Sequence, residues 1–410
     1  MTILKKAKDK LYIGYNRVGH GVYALIKVFM HWRTPITITG EGSIARLPEI
    51  LAACRAKHPL LVTDPFLAEN LAPGLERVLA GANVAYTVFS DVAPNPTILN
   101  CENARDVYLA EGCDSFIALG GGAPMDTAKA CGAFVAFPKK DTRSFRSTFG
   151  VPRRIPPLIA IPTTAGTGSE TTLAAVIVDE RTRHKYALMD PHLMPLYAVL
   201  DPTLTVGLPP SVTATTGMDS LVHALEAYFS RSNSTRETNQ LAEDAVRIVF
   251  RFLERAYNDP HDMEARAQMQ IGANKAGFAF SRVGVGNVHA IAHTLGGLYN
   301  TPHGLANAVI LPYILRDYGP VVHKKLAHLS ESLGLKFDGT EAERAEAFIE
   351  EVEAMNERMG IPKSFDFIRD EDVEQMITWA MHEANPVYPV PQVYTRDHFR
   401  AVIAQIRTPQ

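Results

Sequence analysis

The chain has 410 residues, 46% of them hydrophobic and 21% charged, with a formal net charge of −3. That length suits two domains, each able to bury a core of its own. The near-neutral, mixed charge leaves no electrostatic footprint for nucleic acid, and no apolar run reaches the roughly 18 residues that a membrane span needs.

Residues 11–32 read LYIGYNRVGHGVYALIKVFMHW, an apolar and aromatic stretch with scattered basic side chains. No small-residue cleavage site closes it, so it does not read as a secretory signal. It packs on its own domain or a subunit interface, the common fate of such segments, or else lies weakly on a membrane surface. Strand candidates follow at Ile36–Thr39, Leu60–Thr63, Val84–Phe89, Ser115–Leu119, Leu158–Ile161 and Ala198–Leu200. Stretches of helical period lie between several of them, at Ala45–Arg55, Pro65–Leu79 and Thr97–Glu111. The alternation predicts a parallel, Rossmann-like sheet covered on both faces. Ala174–Asp179 and Lys185–Met189, separated by the polar ERTRH, predict an inserted β-hairpin.

Past Pro209–Pro210 the texture becomes helical, with helices expected at Glu237–Tyr257, Met263–Phe280, Val322–Leu333, Thr340–Met359 and Glu371–Ala384. The chain therefore divides into an α/β domain over residues 1–207, in which residues 1–32 are an extra segment, and an all-helical domain over 208–410. Cys54, Cys101, Cys113 and Cys131 form no CxxC pair. Scattered thiols in a long chain fit a reducing, cytoplasmic setting, with the sulfurs buried and inert.

The segment SFIALGGGAPMDTAKA runs from strand to glycine turn to helix. Gly120, Gly121 and Gly122 leave the backbone bare where a diphosphate must approach, and Pro124 suits a first helical turn. The free amides and the dipole of that turn favour an anion. The pattern is not GxGxxG, so the usual dinucleotide fingerprint is absent. In IPTTAGTGSETT, the small hydroxylic residues Thr163, Thr164, Thr167 and Ser169 can line a phosphate or ribose, or make a polar turn. Asp64, at a strand end, can accept from ribose hydroxyls and repel a 2′-phosphate. It can equally cap the helix that starts at Pro65, and the two roles are compatible.

Asp219 and His223 sit at i and i+4 in GMDSLVHALEAY; His289 and His293 repeat that spacing in NVHAIAHTLGG, and His303 follows in YNTPHG. Residues four apart share one helix face. Imidazoles and a carboxylate so placed can hold a divalent first-row metal, but spacing alone leaves open which of the five bind. The pattern is not HExxH, so no zincin protease is indicated. A metal with an open position can bind an alcohol oxygen and lower its pKa, and a nicotinamide held beside it can take the hydride.

The stretches GGGAPMDTAKA, IPTTAGTGSETT, DPTLTVGLP, GMDSLVHALEAY and HAIAHTLGGLYNTPHGLANAVILP, spread from about residue 36 to 315, resemble the iron-containing (group III) alcohol dehydrogenase family. The resemblance implies a dehydroquinate-synthase-like fold, an α/β dinucleotide-binding domain followed by a helical domain with the active site in the cleft between them. It implies Asp219, His223, His289 and His303 as metal ligands. His293 becomes a residue near substrate and nicotinamide that relays a proton. Cofactor contacts carry over to Asp64 (the VTD aspartate), Asn95 (the PNP turn), Gly121, Gly122, Thr163, Thr164 and Lys185. The serine that commonly follows the three glycines is Ala123 here, which leaves backbone amides in place of a hydroxyl contact. Residues 1–32 extend beyond the usual family start and inherit no role.

The expectation is thus an enzyme that passes a hydride between an alcohol and NAD, with NADP the lesser candidate, Fe2+ the metal and Zn2+ its alternative. Homo-oligomers are expected from family habit. The other readings are a dehydroquinate-synthase-like lyase, whose phosphorylated substrate would call for more basic residues, and a non-catalytic metal or nucleotide sensor.

Overall fold

A computed structural model of the chain describes residues 2–28, 32–145, 150–151, 153–182, 184–232 and 234–408. Residues 29–31 of the N-terminal segment and residue 183 of the polar hairpin turn lie outside the described residues. The chain begins with a long helix, α1 (Thr2–Val28). Then come β1 (Ile36–Thr39), α2 (Leu47–Cys54), β2 (Pro59–Val62), α3 (Pro65–Asn70), α4 (Ala72–Gly81), β3 (Thr87–Phe89) and α5 (Ile98–Ala110). Next are β4 (Ser115–Gly120), α6 (Gly122–Ala136), β5 (Leu158–Pro162), β6 (Ala174–Asp179), β7 (His184–Met189) and β8 (Tyr197–Leu200). The remainder is helical: α7 (Pro210–Phe229), α8 (Arg236–Asn258), α9 (Met263–Val283), α10 (Asn287–Tyr299), α11 (His303–Tyr318), α12 (His323–Ser332), α13 (Glu341–Arg358), α14 (Asp370–Ala384) and α15 (Arg396–Gln405).

Six strands pair in the order β1-β8-β5-β4-β2-β3, all parallel. Alternate residues of β4 serve opposite faces, as pleating requires. Phe116 and Ala118 join the core beneath α5 and α6, while Ile117 and Leu119 join the core beneath α2 and α4. The predicted hairpin forms as an antiparallel β6–β7 pair. Two local expectations change. The stretch read as one helix over Pro65–Leu79 is two, broken at Leu71, with Pro73 in the first turn of the second; proline has no N–H to continue the earlier helix. The strand expected over Val84–Phe89 is cut to its last three residues, which pair in register with Leu60–Val62 of β2 at the edge of the sheet.

Two compact units result. One holds His31–Leu208 and Asp259–Gly277, the other Met1–Met30, Pro209–Asn258 and Phe278–Gln410. The expected division at residue 207 is therefore corrected in two places. The N-terminal segment groups with the helical unit: Arg17 on α1 donates to the carbonyls of Val390 and Pro391 at 2.8 and 2.7 Å. The beginning of α9 groups with the sheet. Gln270 donates to the carbonyls of Pro162, at the end of β5, and Asp201, just past β8, at 3.1 and 3.3 Å, and Asn274 donates to Glu170 at 3.0 Å.

Candidate functional site

In the α/β unit, the carboxyl ends of β4 and β5 carry the two loops singled out in the sequence. Gly120 has φ +150°, and a Cβ there would meet the Pro124 ring at 2.5 Å, so the strand-to-helix turn needs glycine. Gly121 caps α6 and Gly122 opens it, so the first amides of that helix are presented by residues with no side chain. The partner loop lies directly against them. The Thr163 amide donates to the Gly120 carbonyl at 3.1 Å, and the Thr164 hydroxyl is 3.4 Å from where a Cβ of Gly121 would stand. Ala123 packs partly buried on the α5–α6 core.

Asp64 takes the capping role: its Oδ1 accepts from the Leu67 amide at 2.9 Å at the start of α3. Lys185 on β7 donates to the Asn95 side chain at 3.0 Å, so two cofactor candidates 90 residues apart in sequence meet. Sequence reasoning passed over the pair that fixes the threonine loop. The Lys129 ammonium, fully buried on α6, donates to the Ser169 carbonyl and hydroxyl, the Thr172 hydroxyl and the Ala174 carbonyl at 2.7–2.8 Å. Burial pulls its pKa down to about 8. Asp126, one turn earlier, accepts from the Ser169 hydroxyl at 2.9 Å and the Val176 amide at 3.0 Å.

In the helical unit, α7 presents Asp219 and His223 on one face, α10 presents His289, and α11 begins with His303. One ligand atom from each of the four lies within 4.8 Å of the others, and all but His303 are buried. Gly304 makes this closure possible: a Cβ on it would stand 2.3 Å from the Thr215 carbonyl oxygen, so only glycine lets α11 lie so close to α7. His303 Nε2 is 3.6 Å and His289 Nε2 4.0 Å from Asp219 Oδ1. The His223 ring is held between Phe280 and His289, with centroids at 4.1 and 4.6 Å.

Two further residues orient this cluster. Glu226 Oε2 accepts from His289 Nδ1 at 2.6 Å, which turns Nε2 of that ring toward Asp219. The same carboxylate accepts from the amides of Gly286 and Val288 at the start of α10. Asn307 donates to Asp219 Oδ1 at 2.6 Å and lies 3.3 and 3.2 Å from Nε2 of His289 and His303. Both were legible in the sequence: Glu226 is three residues past His223 and Asn307 four past His303, each on the same helix face. His293 is not among the four converging donors, although its ring lies beside them. Its ring stacks on His303 at 5.2 Å, and its Nδ1 pairs with Glu383 on α14. The Tyr388 hydroxyl donates to the same Glu383 oxygen at 2.6 Å. Burial pushes the Glu383 carboxyl up, but His293 and Tyr388 outweigh it and hold it below the ordinary value. Nothing near His293 in sequence announces Glu383, 90 residues on.

These residues fit a divalent cation. Burial works against protonating His289, yet the carboxylates of Glu226 and Asp219 overcome it and raise its pKa above the imidazole norm. Three imidazole nitrogens and a carboxylate oxygen converging in a field that favours positive charge form a donor set suited to Fe2+ or Zn2+.

Residues 34–202 match the iron-containing alcohol dehydrogenase family, and residues 213–406 match the Fe-containing alcohol dehydrogenase family, C-terminal. Lactaldehyde reductase of Escherichia coli is 35% identical over 349 residues, spanning 84% of this chain and 91% of its own. NAD-dependent methanol dehydrogenase of Bacillus methanolicus is 34% identical, spanning 83% and 90%. The crystal structure of a 1,3-propanediol oxidoreductase superposes with a TM-score of 0.88 at 31% identity, covering 92% of this chain and all of its own. The chain belongs to the iron-containing alcohol dehydrogenase family. It is an NAD-dependent oxidoreductase that interconverts alcohols and aldehydes with Fe2+.

Proposed function

We propose that Asp219, His223, His289 and His303 hold the Fe2+, that His293 exchanges the proton of the substrate hydroxyl, and that the substrate is a short alcohol or its aldehyde. The convergence of the four donor groups to within 4.8 Å carries this reading. The small alcohols and aldehydes named for lactaldehyde reductase, methanol dehydrogenase and 1,3-propanediol oxidoreductase support the substrate class.

When bound, Fe2+ supplies the Lewis acidity that polarises the substrate oxygen and NAD accepts the hydride. Glu226 keeps His289 in the tautomer whose Nε2 can ligate, and Asn307 fixes the Asp219 carboxylate. Glu383 holds His293 Nδ1, which leaves Nε2 to take and return a proton, and its carboxylate stabilises the imidazolium that forms. On the nucleotide side, the bare amides at Gly121, Gly122 and Ala123 receive the diphosphate at the α6 N-terminus. Thr163 and Thr164 line the opposite wall, Lys185 and Asn95 meet the nicotinamide ribose, and Asp64 receives the adenosine ribose with the carboxylate oxygen not used as a cap.

The reading extends to a cytoplasmic, self-associating enzyme. Cys101, Cys113 and Cys131 are buried, all four cysteines are free, and burial raises each thiol pKa, keeping them inert. No helix among the described residues is long and apolar enough to cross a membrane.

The test is metal content beside turnover, measured as NADH absorbance on protein purified without oxygen and loaded with Fe2+. His289→Ala and His303→Ala should lose both metal and turnover, while His293→Ala should keep the metal and lose most turnover. A fully metallated, active His289→Ala variant overturns the ligand assignment, and an undiminished His293→Ala overturns the proton path.

A further inference from the structure

Helix α1 is amphipathic in the wrong sense for a helix that only packs. Its inward side carries polar groups: Asn16 and His20 are 1% and 3% exposed. Burial, with Arg17 beside it, lowers His20 to about 4, so the ring is neutral near pH 7. Arg17 is anchored to the carbonyls of Val390 and Pro391, Lys5 pairs with Asp397, and Gly19 lies so close to Pro386 that a Cβ would stand 2.5 Å from its ring. The helix is thus fixed to its unit along one side. On the opposite side Leu11, Tyr15, Val18, Val22 and Leu25 are 77, 69, 69, 54 and 62% exposed. Their spacing of four, three, four and three residues puts all five within an arc of about 80°. A solvent-facing apolar stripe over four turns is not what a monomeric surface helix shows.

Charge identifies what covers it. The helix carries Lys5, Lys6, Lys8, Lys10, Arg17 and Lys27 against Asp9 alone, six cations less one anion, or +5. The whole chain is −3, so everything outside α1 sums to −3 less +5, or −8. The four N-terminal lysines are exposed and form a basic cluster at the N-terminal end of the stripe, Lys8 and Lys10 closest in direction to the apolar arc and Lys5 paired with Asp397. A second α1 would offer the lysine cluster no acidic partner, because no acidic residue flanks the stripe, which is the opposite of a coiled-coil seam. An exposed apolar stripe with a basic cluster at one end fits an anionic lipid surface. The apolar side chains enter the headgroup boundary and the lysines reach the phosphates. We propose that α1 docks this enzyme on anionic bilayers, lying in the surface plane with Leu11, Tyr15, Val18, Val22 and Leu25 inserted.

The experiment is flotation of the full-length, Fe2+-loaded protein with vesicles of phosphatidylcholine alone or mixed equally with phosphatidylglycerol, at low and high salt. The protein should float with the mixed vesicles at low salt only. Replacing Lys6, Lys8 and Lys10 by Gln should weaken the partition about fivefold per lysine, which is about 1 kcal/mol each converted to a ratio. A separate variant with Leu11, Val18 and Val22 replaced by Ser should abolish it. All six positions are exposed and outside the catalytic groups, so turnover in solution should be unchanged in both variants, which verifies folding. No flotation with the mixed vesicles, or flotation that both variants retain, overturns the proposal. So does a serine variant whose only change is a smaller mass by light scattering, which would make the stripe a contact between copies of this chain.

Discussion

Glu226 shows how one side chain can govern a site that it does not complete. It accepts from His289 Nδ1 and from two amides at the start of α10, so it sets both the ring tautomer and the entry of the helix. Glu226→Gln keeps the volume and removes the charge that favours a cation. Metal affinity, followed by competition with a chelator, should fall about 10- to 100-fold; an unchanged affinity would remove Glu226 from the orientation of His289. Asp64 joins two roles that one substitution separates. Asn caps a helix as well as Asp does, so Asp64→Asn should leave the thermal midpoint in place. Loss of the carboxylate charge should raise the ratio of kcat/KM for NADP over NAD by about tenfold. An unmoved ratio would leave Asp64 as a cap and nothing more.

At the scale of elements, the four-residue donor cluster depends on how closely two helices approach. Asp219 lies on α7 and His303 opens α11, and the contact between Gly304 and the Thr215 carbonyl brings them together. Gly304→Ala must push the helices apart or strain them, at a cost of about 1–3 kcal/mol. It should lower both the thermal midpoint and the bound iron. Gly296→Ala, on α10, meets nothing nearer than 3.9 Å and is the control, expected to hold its metal. Equal metal content in the two variants would show that the approach of α11 to α7 is not limiting. In the α/β unit, Lys129 and Asp126 do the corresponding work for the threonine loop, because a fully buried ammonium must satisfy its donors somewhere and here all of them go to residues 169–174.

At the scale of the molecule, a metal held by the proposed ligands should act on folding as well as on catalysis. The helical unit gathers Asp219, Glu226 and three imidazoles, all but His303 buried, and the carboxylates favour positive charge at His289. A ligand that binds only the folded state, at a hundred times its Kd, adds about 2.7 kcal/mol. Chelation should therefore lower the thermal midpoint by several degrees, and Fe2+ should restore it. The Asp219→Ala variant should melt near the stripped protein with or without added Fe2+; a midpoint that follows Fe2+ in that variant would place the stabilising site elsewhere.

Features of short range were open to reading in the residues alone. The strand and helix alternation, the glycine turn, the hairpin and the two (i, i+4) pairs each follow from periods of two or 3.6 residues that a linear sequence displays directly. So do the caps, such as Asp64 at the start of α3. Glu226, three residues past His223, and Asn307, four past His303, are legible as one-turn neighbours in the same way. What no period could show is closure. His293 was as good a ligand as the others by spacing; the structure converges the other four and pairs His293 Nδ1 with Glu383, 90 residues away. The grouping of α1 with the helical unit, and of the start of α9 with the sheet, rests on contacts of Arg17, Gln270 and Asn274 with residues more than 60 positions distant. The sequence by itself determined which residue types stand one turn apart, because backbone geometry carries that information locally. Only the tertiary structure decided which of those faces meet, and which face of α1 turns outward, because those choices belong to packing between segments remote in the chain.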